Sequence, residues 1–135
     1  MDLCRIFFVL VFSASASAAP ARDGDAAARA AWAVAEVLLA VDLAGACPHF
    51  ARTKGGYAGN SLLSDALVTF INERDLTMTD FAAAAEVYGA ADMDRLKRWL
   101  LARDRVDPRD RRAVCFYAKR IAGTDHVIGR FLERR

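Results

Sequence analysis

Residues 92–132, DMDRLKRWLLARDRVDPRDRRAVCFYAKRIAGTDHVIGRFL, decide how this chain folds. Apolar side chains recur there at three- and four-residue intervals. Met93, Leu96, Trp99 and Leu100 form one buried stripe, and Val114, Tyr117, Ala118 and Ile121 form a second. The spacing predicts helices over Met93–Arg103 and Pro108–Ala122, with a short third from Asp125 to near the end. Asp92 and Asp94 open the first of these and Arg103 closes it, the order the helix dipole favours. In the second, Asp107 is the expected cap, Pro108 fills the first position and Asp110 reaches back. Gly123 closes that helix and Thr124 caps the next, which Val127, Ile128, Phe131 and Leu132 pack down. Arg111, Arg112, Lys119 and Arg120 line the outside.

Upstream the same period continues. Asp23 or Asp25 can cap a helix over Ala26–Ala44, with Trp32, Val34, Val37, Leu38 and Val41 as its stripe and Gly45 as its stop. Residues 48–60 carry three glycines and no sustained period, which reads as a loop with one helical turn at Phe50–Lys54. A helix near Ser61 shows Leu62, Leu63, Ala66, Leu67, Phe70 and Ile71 on one face. Thr79 with Asp80 starts another, apolar at Phe81, Ala84, Ala85 and Tyr88. No stretch alternates as a strand would. The expected fold is all-α: a single small bundle of five to six short helices stapled by one disulfide.

The start of the chain has a different character. Met1–Arg5 is a short basic segment, Ile6–Phe12 is an unbroken apolar run, and Ser13–Ala21 is small and Ala/Ser-rich. These are the parts of a secretory signal peptide over residues 1–21, with cleavage after Ala18 or Ala21. The apolar run is far short of the roughly 20 residues a bilayer span needs, so no transmembrane span is expected after its removal. Residues 22–135 then form one domain in the periplasm, an oxidising compartment. Cys4 leaves with the peptide. Cys47 and Cys115 remain, and only one pairing within the chain exists for two cysteines. A Cys47–Cys115 disulfide is the reading, against free buried thiols or a bridge between chains.

Charge is divided unevenly. Residues 22–94 carry five basic and eleven acidic side chains, net −6; residues 95–135 carry thirteen and five, net +8. The two parts can complement each other on folding, or the basic part can present a surface to an acidic partner. Nucleic acid is not expected as a partner of an exported protein.

Motifs for chemistry are weak. Cys47-Pro48-His49 resembles the start of the Cys-Pro-His-Cys motif of thioredoxin-fold oxidases, but Phe50 stands where the resolving cysteine should be. His49 and His126 are the only histidines, and a bridged cysteine offers them no thiolate to complete a zinc site. Ser61 or Ser64 with His49 makes a catalytic pair only on paper, since no nucleophile elbow surrounds either serine. Gly55-Gly56-Tyr57-Ala58-Gly59 lacks the Gly-Lys-Ser/Thr ending of a phosphate loop. No cofactor, metal or catalytic residue is therefore expected. The candidate contacts for an unidentified protein partner are Gly55, Gly56 and Tyr57 on the loop and Arg109, Arg111 and Arg112 at the basic cluster.

Trp99-Leu100-Leu101-Ala102-Arg103, Asp107-Pro108, Cys115, Ile121 with Thr124, and Ile128-Gly129-Arg130 with Leu132 together resemble the end of a family of small exported bacterial proteins known only as a domain of unknown function. The resemblance covers roughly residues 90–132. It implies a helical fold and two mature cysteines, the first after an opening helix, and carries no activity. The expected function is a non-enzymatic protein-binding or structural module. The alternative is a holdase-type chaperone, active under acid or other stress as the carboxylates of the acidic half protonate and lose their partners.

Overall fold

A computed structural model describes residues 25–56 and 59–135. The expected signal peptide and its cleavage points, the Asp23 cap and Tyr57 lie outside the described residues. Five α-helices are present among those described: α1 (Ala26–Ala46), α2 (Gly59–Arg74), α3 (Met78–Val87), α4 (Ala90–Arg103) and α5 (Arg111–Ile121). Two three-residue strands, β1 (Ala51–Thr53) and β2 (Leu132–Arg134), complete the fold.

The first helix is the axis. The other four helices and β1 all pack against it. Its buried apolar set is Ala30, Ala31, Ala33, Ala35, Val37, Leu39, Ala40 and Leu43, whereas Trp32, Val34, Leu38 and Val41 of the expected stripe are only partly covered. A helix that is apolar around most of its surface is covered by neighbours on most sides, and here only Asp42, Gly45 and Ala46 are exposed. Its alanines let neighbouring helices approach closely, because the distance between axes follows the side chains at the contact. Asp25 caps it through the Ala27 N–H at 2.9 Å. The helix runs through Gly45 and ends at Cys47, because the residue before Pro48 is pushed out of the helical region.

The faces of α2 and α5 are as expected: Leu62, Ala66 and Phe70 are buried, as are Val114, Tyr117, Ala118 and Ile121. On α4 the stripe is turned. Leu100 and Leu101 are buried, Met93 and Leu96 are half-buried, and Trp99 is 53 % exposed with its ring edge-on to Trp32 at 4.8 Å. Ala85 of α3 is likewise exposed.

Two caps fall away from their expected places, one two residues earlier and the other three residues later. Thr77, not Thr79, starts α3, since only Thr77 stands three residues before an acid. Its hydroxyl accepts from the Asp80 N–H at 3.2 Å and its N–H donates to the Asp80 carboxylate at 2.8 Å. Asp110, not Asp107, caps α5, accepting from the Ala113 N–H at 3.1 Å. Asp107 instead accepts the Arg109 N–H at 2.9 Å, so Pro108 sits in a turn ahead of the helix.

The expected sixth helix is absent. Past α5 the chain turns at Gly123 (φ +73°), makes a single 3₁₀ turn over Gly129–Phe131 and enters β2. The Gly123 N–H is shared between the carbonyls of Gly129 (3.1 Å) and Leu132 (2.9 Å), and the Ile128 N–H goes to the His126 ring (3.1 Å). Those bonds consume backbone groups that a helix would use. β2 pairs antiparallel with β1, which replaces the helical turn expected at Phe50–Lys54. Arg52 stands opposite Glu133 and forms an ion pair with it at 2.9 Å.

Candidate docking groove beside the disulfide

Cys47 closes α1 and is buried; Cys115 lies mid-way along α5. Their α-carbons are 5.3 Å apart and the sulfurs are bonded, across a sequence separation of 68. After Cys47 the chain makes a tight turn, the Phe50 N–H donating to the Cys47 carbonyl at 3.0 Å. This turn sets the Phe50 ring beside the outer face of α5. Arg112, Phe116 and Lys119 share that face because they are four and three residues apart. Phe50, Arg111, Arg112, Cys115, Phe116 and Lys119 together line a groove of about 490 Å³.

Its floor is apolar and its rim is cationic. Phe116 is 68 % exposed and Phe50 40 %. The Lys119 ammonium stands 5.7 Å from the centre of the Phe50 ring. Arg111 donates to the Ala46 carbonyl at 3.2 Å, at the negative end of the α1 dipole. The carboxylates at the start of α5 are occupied: Asp110 by its cap, and Asp107 by Arg109, whose backbone N–H and side chain together hold the Asp107 carboxyl below its usual range.

Of the contacts expected from sequence, the structure brings Arg111 and Arg112 to this groove. Arg109 stays in the preceding turn, paired with Asp107 at 3.3 Å. Gly55 (φ +71°) and Gly56 lie in the 3₁₀ turn after β1, where the Gly55 N–H donates to Glu133 at 3.0 Å. Neither glycine lines the groove. Phe50 and Phe116 escaped the sequence reading. One signal could have found Phe116: it is a large apolar residue in the otherwise charged outer row of α5.

Two polar clusters lie elsewhere. Asp104, after α4, accepts from the Tyr117 hydroxyl at 2.6 Å and from His126 Nε2 at 2.8 Å. His126 Nδ1 accepts the Ile128 N–H, so the proton of the neutral ring sits on Nε2. Burial pushes the Asp104 carboxyl up, but the bonds from Tyr117 and His126 and the charge of Arg103 more than offset it, and the net direction is down. Burial and the same bond push the Tyr117 phenol far up. The cluster ties the turn after α5 to the end of α4. The second cluster is part-buried around Glu36: this residue of α1 takes a bidentate pair from Arg74 at 2.7 and 3.2 Å, and Arg29 donates to the Arg74 carbonyl at 3.2 Å.

Among the described residues no three His, Cys, Asp or Glu side chains converge as metal ligands would. Among them, too, no helix is long and apolar enough to cross a membrane. The chain matches no protein-family model, no curated protein and no solved structure.

Proposed function

We propose that this protein is a non-enzymatic protein-binding module, exported to the periplasm behind a cleaved signal peptide, and that the groove beside the disulfide is its contact surface. One observation carries the reading: two exposed aromatic rings and three cations from separate segments converge on one concavity. Exposed aromatic and arginine side chains gathered in a pocket are what interfaces use as anchors. The chemically reactive side chains nearby are engaged otherwise, the cysteines with each other and Tyr117 and His126 with Asp104. The disulfide suits an oxidising compartment. Kinship with the exported helical family of unknown function belongs to the same proposal.

A photo-crosslinking residue in place of Phe116 or Lys119, introduced in the native cell, is expected to give a discrete protein adduct that Arg112→Glu abolishes. The same residue in place of Val87, 69 % exposed on α3, is expected to give none. Equal labelling from all three positions, or none from the groove, overturns the proposal.

A second reading, the acid-stress holdase, draws on Asp104. A carboxyl held low in the folded state stabilises above its unfolded value and loses that contribution as pH falls through the folded value. The sign therefore puts loosening below about pH 4. Protonating Asp104 removes the acceptor that Tyr117 and His126 share, and leaves Arg103, its neighbour at 3.5 Å, without its carboxylate. Under this reading binding of an apolar dye should rise between about pH 4 and pH 3 while helix content is retained. A flat signal to about pH 3 removes the chaperone reading.

A further inference from the structure

We propose that the occupant of the groove is an acidic peptide segment carrying a single bulky apolar side chain, which the two phenylalanines receive while Arg111, Arg112 and Lys119 pair with its flanking carboxylates. This rests on the docking reading above and goes further by naming the partner's chemistry.

The floor fixes the anchor. Phe50 arrives from the turn after α1 and Phe116 from α5, and the Cys47–Cys115 bridge joins the two segments. A concavity of about 490 Å³ lies within the range of sites that enclose a small apolar group, and it holds a large aliphatic or aromatic side chain with room for adjoining backbone.

The rim fixes the sign of the charge. Among the described residues no hydrogen bond or ion pair within the chain engages Arg112. Lys119 meets the Phe50 ring and, among the described residues, no carboxylate, and Arg111 uses one nitrogen on Ala46, leaving the rest of its planar fork for a carboxylate. Among the described residues no carboxylate lines the groove. Three cations around an apolar floor attract an anionic partner and repel a basic one.

The shape selects a peptide over a bilayer. A helix that lies in a membrane interface drives a broad apolar face into the lipid. Here the apolar face of α5 is spent on the core, through Val114, Tyr117, Ala118 and Ile121, and one phenylalanine is left on the outside. The second ring lines the same hollow.

The test is fluorescence anisotropy with a labelled synthetic peptide of aspartate and glutamate residues around one central phenylalanine. It is expected to bind saturably, more weakly as salt rises. Phe116→Ala and Arg112→Glu, both at exposed positions, should each weaken binding on the order of tenfold or more with the circular dichroism spectrum unchanged. Replacing the peptide's phenylalanine by alanine, or its acids by lysine, should abolish binding. Affinity indifferent to both protein variants overturns the proposal. So does Arg112-dependent binding to phosphatidylglycerol vesicles with none to the peptide, which makes the occupant a lipid surface. Concentration-dependent dimerisation abolished by Arg112→Glu also overturns it, since the occupant is then a second copy. Failure of the peptide while crosslinks from Phe116 persist sinks the peptide chemistry alone; failure of both sinks the docking reading with it.

Discussion

Gly129→Ala is expected to destabilise the protein by on the order of 3 kcal/mol or more, and to leave much of it unfolded at 37 °C. A methyl group at this position would lie 2.0 Å from the Ile121 carbonyl oxygen and 2.7 Å from its carbonyl carbon. Both are backbone atoms in the last turn of α5, so no side chain can swing aside. The clash would also pull the Gly129 carbonyl from the Gly123 N–H at 3.1 Å, which anchors the reversal of the chain. Gly45→Ala is the control. It lies inside α1 with nothing within 4 Å of the added carbon, and should be neutral or stabilising by about 0.5–1 kcal/mol. Urea denaturation of residues 22–135 checks both. A Gly129→Ala protein with a wild-type midpoint would refute the packing described at that turn.

Opening the Cys47–Cys115 bond should cost still more. Closing a loop of 68 residues restricts the unfolded chain by about 4 kcal/mol on the chain-entropy model, out of the roughly 5–15 kcal/mol that holds an ordinary domain together. The Cys47→Ala, Cys115→Ala double variant is expected to unfold at markedly lower urea than the parent, and the parent treated with reductant should follow it. Native residues 22–135 should show no titratable thiol. A parent whose midpoint is indifferent to reductant would mean that the staple contributes little.

Long-range sulfur chemistry and helix periodicity were both legible in the sequence because each leaves a mark that does not depend on context. Two cysteines in residues 22–135 admit one bond, and the apolar periods of α2 and α5 translate directly into Leu62, Ala66 and Phe70, and into Val114, Tyr117 and Ile121. What the sequence hid is set by tertiary competition. Three-residue strands are too short to alternate, so β1 and β2 look like loop and helix until they meet. Trp99 fits the period of α4 but lies outside because α1 offers it Trp32 at the rim. The candidate site was half legible: Arg111 and Arg112 stand out as a charge run, while Phe50 belongs with them only through a turn that the fold creates. In the glycine loop, which reads as a contact surface, the Gly55 N–H seats Glu133.

The covalent link between positions 47 and 115 has a further consequence for survival among proteases. A single nick anywhere between those two half-cystines releases no fragment: both pieces stay tethered, one sulfur on each. Two exposed connectors, at Asp75 and Thr77 before α3 and the Asp107–Asp110 turn before α5, fall within that span. The molecule can therefore be cut at either of them and still keep the two sides of its groove together.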